Sequence, residues 1–268
     1  MRVTAYLNLN FQAGDYLERI DRAASAGVDG IECYGWDLGV EMDDQLGPPF
    51  AAEFDLEALV DRMNEHELEF VYLSGDRPPL TDPAQEAAAI ESIERSLELA
   101  DELGCSYVNV KAGRIQPGMT IESQRQQVVS VLRAIAPAAE AAQSTVLLEP
   151  INAIDTPHEL VNTATDATSI LDAVDSPGVR LLLDLFHEQL GSGNIVNTIR
   201  DTVPEYVEHI HAADAPLRSQ PGTGELNWET VIDTLEDVGY DGYLGGEFIP
   251  SGNPDAALES FVSVAGST

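Results

Sequence analysis

Lysine is nearly missing from this chain: its 268 residues hold one, Lys111, against twelve arginines. Basic side chains of both kinds number 13 against 47 Asp plus Glu, which sets the formal net charge at −34. Such a chain repels the phosphates of nucleic acid and anionic lipid surfaces unless its few cations gather in one place, and here they are scattered. Neither nucleic acid nor a membrane is therefore an expected partner. Cysteine is scarce too; Cys33 and Cys105 stand in apolar runs without CxxC spacing, which argues against a disulfide framework and a zinc clip. No stretch approaches the roughly 18 consecutive apolar residues of a membrane span. The opening "MRVTAYLNLNF" lacks the basic region, long apolar core and cleavage site of a secretory leader. The expectation is a soluble, cytoplasmic protein. A glycine-rich phosphate loop is missing as well, since "GSGN" at 191–194 is not followed by the glycine and lysine such a loop needs.

What the chain has in excess is acid, spread over every segment that reads as helix instead of forming a tail. That is the pattern of a heavily solvated, halophilic surface, haloarchaeal in type. At 44% hydrophobic the chain can bury one sizeable core, and residues 1–268, undivided by any linker or low-complexity tract, read as a single domain. Whether it forms a homo-oligomer is left open.

Eight apolar or β-branched runs read as strands: 2–9, 29–35, 68–75, 106–113, 144–151, 179–186, 207–214 and 242–249. Amphipathic segments separate them. In the helix that Pro83 opens, Ile90, Ile93, Leu97 and Ala100 recur at three- and four-residue spacing, and Leu56, Leu59, Val60 and Met63 do the same before the third strand. Further helices fit 15–26, 121–142, 159–174, about 193–202, and 228–238. A weak repeat, "AGVDGIE" (26–32) and "VGYDGYL" (238–244), places Gly27 and Gly239 at left-handed helix ends. Strict alternation with eight strands favours an α/β fold of one (βα)8 barrel, in which catalytic groups sit at the C-terminal ends of the strands.

The polar residues meet that requirement. Strand 5 ends in Glu149, strand 6 in Asp184 and strand 8 in Glu247, and strand 7 carries His211. Three carboxylates and an imidazole on one rim would repel or lose their charge without a cation among them, and the mixed oxygen and nitrogen set suits Mn²⁺, Mg²⁺ or Co²⁺. His209 shares a face with His211 but lies one layer deeper, which suits a bracing residue better than a ligand.

The segments "LLEPIN" (147–152), "LLDLFHEQ" (182–189), "HIHAADAPLRSQPGTGELN" (209–227) and "LEDVGYDGYLGGEFIPSG" (235–252) resemble the hydroxypyruvate isomerases, within the xylose isomerase-like barrels of sugar isomerases and epimerases. The resemblance spans essentially the whole chain. It implies Glu149 and Glu247 as paired acid and base, with Asp184 and the strand-7 position completing a metal site, and His187 and Arg218 as substrate contacts. Two departures stand out. Isomerases of this family usually carry Gln where His211 stands, whereas the related ketose 3-epimerases carry His; and Lys111 replaces a residue that is usually apolar.

The implied chemistry is the shift of a carbonyl by one carbon through a metal-stabilised enediolate, on a small hydroxy-carbonyl or sugar substrate. Hydroxypyruvate to 2-hydroxy-3-oxopropanoate is the leading reaction, and a ketose 3-epimerase or another sugar isomerase is the alternative. An apurinic-site endonuclease would want more histidines and a basic surface. A non-catalytic sugar-binding barrel would not need two opposed carboxylates. Lys111 ends strand 4, so it is expected at the same mouth as the metal, where it could bind a substrate carboxylate or pair with a rim acid.

Overall fold

A computed structural model describes residues 1–34, 56–74 and 77–266. Eight strands, β1 (Arg2–Tyr6), β2 (Gly30–Tyr34), β3 (Glu69–Ser74), β4 (Tyr107–Lys111), β5 (Thr145–Glu149), β6 (Val179–Asp184), β7 (Val207–His211) and β8 (Tyr243–Gly246), pair in parallel in chain order. β8 returns to β1 and closes the barrel. The helices are α1 (Leu7–Asn10), α2 (Tyr16–Ser25), α3 (Leu56–Glu65), α4 (Glu86–Leu103), α5 (Ile121–Ala142), α6 (Ala164–Val174), α7 (Leu185–Gly191), α8 (Ile195–Thr202), α9 (Trp228–Asp237) and α10 (Pro254–Ala265).

Alternation along each strand sorts the side chains into two populations. Val146 and Leu148 of β5, Leu181 and Leu183 of β6 and Ile210 of β7 point outward and join the large apolar core beneath the helices. Their inward neighbours Leu147 and Leu182 pack with Tyr6, Tyr72, Tyr107 and Tyr243 inside the barrel. Each such buried side chain contributes about 1.5–3 kcal/mol relative to exposure, so apolar contact fills much of the lower interior, and the carboxylates of β5 and β6 stand above it at the rim. Gly27 and Gly239 hold φ of +85° and +77°, the left-handed geometry expected of them at the ends of α2 and α9.

The strands are shorter at their C-terminal ends than the sequence predicts. β1 gives way at Leu7 to a turn of helix, β5 stops at Glu149 and β6 at Asp184. The chain past those points stays apolar because it is buried, as at Leu7, Ile151, Phe186 and Phe248, while it no longer pairs as a strand. Gly35 and Gly75, the last residues of two expected strands, lie outside the described residues. α6 begins at Ala164 and not at 159, since the Thr163 side chain accepts from Asp166 N and fixes the helix start there. α1, α7 and α10 are helices that the sequence pattern does not predict.

Candidate active site

Glu149, Asp184 and His211 close β5, β6 and β7, and Glu247 lies one residue beyond β8. One ligand atom from each falls within 4.8 Å of the others, and all four residues are buried. Local bonding explains how each is aimed. Asp184 caps α7: its Oδ1 accepts from the backbone N–H of Phe186 at 2.8 Å and of His187 at 3.1 Å. Its Oδ2 is thereby turned to the mouth, where it has no hydrogen-bond partner among the described residues. Glu149 Oε2 accepts from Asn109 Nδ2 at 2.9 Å. His211 Nε2 lies 2.8 Å from Glu32 Oε2, and its Nδ1 stands 3.0 Å from Glu247 Oε2 without hydrogen-bond geometry.

Charge is crowded here. Burial pushes the Asp184 carboxyl up to about 8, with Arg218 opposing and Glu247 and Glu149 adding to the rise. Burial likewise raises Glu149, against the pull of Lys111 and with the repulsion of Glu247. For Glu247 burial acts in the same direction, but Arg218 and His211 together outweigh it and hold the carboxyl well below its usual range. Two buried polar atoms without hydrogen-bond partners, Asp184 Oδ2 and His211 Nδ1, belong to this same group of oxygen donors with one imidazole. That donor set fits a divalent cation of the Mn²⁺, Mg²⁺ or Co²⁺ kind, which would relieve both the repulsion and the unmet acceptors.

The remaining expected residues surround this group. Buried His187 accepts at Nδ1 from the backbone N–H of Asn152 at 3.3 Å, and Asn152 Nδ2 lies 2.6 Å from the same atom. Its hydrogen therefore sits on Nε2, which faces Glu149 Oε1 at 3.9 Å and Asp184 Oδ2 at 3.8 Å. Burial first and Arg218 second depress its pKa, so the ring is a neutral donor. Arg218 places Nη2 2.8 Å from Glu247 Oε2 and 3.5 Å from Asp184 Oδ2, with its guanidinium 5.3 Å from the centroid of the Phe186 ring. Its φ of +53°, unusual for a side chain of this size, is the backbone conformation from which it reaches inward. Lys111 is the last residue of β4 and the Cα partner of Glu149. It is exposed and has no ion pair among the described residues, so the rim pairing that the sequence allows is not seen there.

Glu32 is the site residue that sequence reasoning misses. It is fully buried on β2 and contacts both histidines of β7, His209 Nε2 at 3.0 Å and His211 Nε2 at 2.8 Å. His209 does lie beneath His211, as expected of a brace, but it acts through this shared carboxylate. A carboxylate two residues into a strand, in "GIECY", is the signal that could have found it. Asn109 and Asn152, the partners of Glu149 and His187, are likewise absent from the sequence reading.

A closed parallel barrel with carboxylates and an imidazole converging on its C-terminal rim is the architecture of enzymes that work on small molecules inside the barrel mouth. The Xylose isomerase-like TIM barrel family matches residues 20–262, and the chain belongs to it. It is 26% identical to hydroxypyruvate isomerase of Escherichia coli over 96% of this chain and 97% of that one. To 2-oxo-tetronate isomerase of Haemophilus influenzae it is 26% identical, over 97% and 98%. A human putative hydroxypyruvate isomerase is 34% identical over 64% of each chain. Among solved structures, one described as an AP endonuclease, family 2, from Brucella melitensis superposes with a TM-score of 0.84 at 26% identity, covering 98% of both chains. Relatives and barrel together make the chain an isomerase. No helix among the described residues is long and apolar enough to cross a membrane.

Proposed function

We propose that the chain is a divalent-metal-dependent isomerase of small 2-oxo acids that interconverts hydroxypyruvate and 2-hydroxy-3-oxopropanoate. One observation carries the reading: four buried side chains offer ligand atoms within 4.8 Å of one another, and two of their polar atoms, Asp184 Oδ2 and His211 Nδ1, have no hydrogen-bond partner among the described residues. The names of the curated relatives support a short 2-oxo acid as substrate, since hydroxypyruvate and 2-oxo-tetronate are both of that class.

Glu149, Asp184, His211 and Glu247 would hold the cation. When bound it supplies Lewis-acid stabilisation of the negative charge that develops on the substrate oxygens. The protein does the rest with protons. One of the two glutamates removes a proton from C3 of hydroxypyruvate, and the other delivers a proton to C2, so that the carbonyl moves from C2 to C3. The hydroxyl hydrogen of O3 leaves as the new carbonyl forms, and O2 gains one. His187, a neutral ring with its hydrogen on Nε2, is placed to donate to a substrate oxygen during this exchange. Arg218, with Nη2 2.8 Å from Glu247 Oε2, orients one of the two glutamates, and Asn109 orients the other through Oε2 of Glu149.

His211 favours a second reading, a ketose 3-epimerase, because epimerases resembling this chain carry His at that position. Both readings use the same two carboxylates. The net charge of −34, without a basic cluster, weighs against a nucleic-acid substrate and so against an endonuclease activity. Enzyme loaded with Mn²⁺ in molar KCl should convert hydroxypyruvate or 2-oxo-tetronate faster than fructose or other ketoses when products are followed by NMR. Faster turnover of a ketose would assign the epimerase reading, and no turnover of either class would remove both.

A further inference from the structure

We propose that Glu32 is the positioning residue of this centre, a carboxylate clamp that grips His209 and His211 by their Nε2 atoms and so commits His211 Nδ1 to the cation. The proposal rests on the divalent-cation reading above.

The clamp joins strands that are not neighbours in the sheet. Glu32 belongs to β2 and the histidines to β7, and in the closed barrel β1 and β8 stand between those strands. Each intervening strand makes way. On β8 the facing residue is Gly245, where a Cβ would collide with Glu32 Oε1 and come within 2.8 Å of His211 Cδ2. On β1 it is Thr4, whose hydroxyl donates to Glu32 Oε1. An inward glycine next to an inward threonine leaves a channel through which the carboxylate reaches across the barrel.

Both oxygens of that carboxylate have designated donors. Oε1 accepts from Thr4 and from His209 Nε2 at 3.0 Å, and Oε2 accepts from His211 Nε2 at 2.8 Å. Three donors offset the cost of burying the group completely and favour its ionised form. An ionised carboxylate only accepts, so each imidazole must present its hydrogen at Nε2. His211 Nδ1 is then the atom left over. It stands 3.0 Å from Glu247 Oε2, where a bare nitrogen lone pair and a carboxylate oxygen repel unless a proton or a cation lies between them. His209 adds the second anchor: stacked on Tyr107 at 5.2 Å between centroids, it fixes Oε1 and prevents the carboxylate from rotating away from His211. A carboxylate behind a ligating histidine sets both the ring orientation and which nitrogen is free, and its loss weakens metal binding by about 10- to 100-fold.

Glu32→Gln tests this, because the amide keeps the shape but offers one acceptor oxygen for two imidazoles. Calorimetry should show Mn²⁺ bound about 10- to 100-fold more weakly by the variant than by the unaltered chain. ¹⁵N NMR of histidine-labelled protein, with His211 assigned through H211Q, should find hydrogen on Nε2 of His211 in both the metal-free and the Mg²⁺-loaded unaltered chain. E32Q should shift part of that population to Nδ1–H, a change that a purely space-filling role would not produce. If E32Q does not fold, the spectrum of the unaltered chain decides alone: a bare Nε2 on His211 overturns the clamp. Wild-type Mn²⁺ affinity in E32Q also overturns it and leaves the metal reading standing. An unaltered chain that binds neither Mn²⁺ nor Mg²⁺ removes the metal reading, and the clamp with it.

Discussion

Among the described residues Lys111 and Arg218 bring positive side chains to the barrel mouth, and they are committed differently. Arg218 already bonds Glu247 and approaches Asp184, whereas Lys111 holds its charge on the rim beside Glu149 with no ion pair among the described residues. In so acidic a protein a carboxylate-bearing substrate needs a local cation to enter, and Lys111 is the uncommitted one of the two. Lys111→Met should therefore raise KM for hydroxypyruvate about tenfold or more, as fits ~1.5–3 kcal/mol for a charge-assisted hydrogen bond, and leave any turnover of neutral ketoses nearly intact. Steady-state kinetics on both substrate classes checks this; equal losses on both would make Lys111 structural, and an unmoved KM would leave the anion to Arg218. The paired glutamates carry a stronger expectation. Glu149→Gln and Glu247→Gln should each lower kcat by roughly 10² to 10⁴, the usual worth of a positioned acid or base. A variant that keeps a large share of the activity would not be part of the proton path.

At the scale of elements, Asp184 joins two tasks, capping α7 with Oδ1 and offering Oδ2 to the site. Asp184→Asn retains a capping oxygen and Asp184→Ala does not, so the alanine variant should unfold about 1 kcal/mol more easily in the metal-free state, while both lose the metal. Urea denaturation in the presence of chelator measures the difference; equal stability would mean that the cap contributes nothing. The same residue shows why sequence reading runs short here. "LLLDLFHEQL" is apolar on both sides of Asp184, so periodicity alone carries the strand to 186, and only the side-chain bond to Phe186 N and His187 N turns the chain into helix. Eight strands are legible because each outward face is apolar, and the four residues of the candidate metal cluster because each interrupts an apolar run at the same end. Glu32 breaks a run as well, but two residues after the Asp-Gly turn, and its purpose appears only when the barrel closes and brings β2 within reach of β7. The amides behind the site, Asn109 and Asn152, carry no pattern in sequence; bonding across strands and loops defines them.

At the scale of the whole molecule, the charge of −34 sets the conditions under which any of this can be measured. Self-repulsion among 47 acidic side chains should weaken the fold in dilute buffer, and molar salt shortens the screening length to about 3 Å. The melting temperature should rise steadily between low and molar KCl; an unchanged value would contradict a halophilic surface. In that salt, the most direct test of the central claim, that Glu149 and Glu247 move a proton between neighbouring carbons beside a divalent cation, is turnover of hydroxypyruvate in heavy water by Mn²⁺-loaded enzyme. The product is trapped and its deuterium located by NMR. Solvent deuterium is expected at C2 of the product, together with loss of turnover after thorough chelation and recovery when Mn²⁺ is restored. Absence of deuterium from both the product and the recovered substrate, or full turnover after chelation, would contradict that claim.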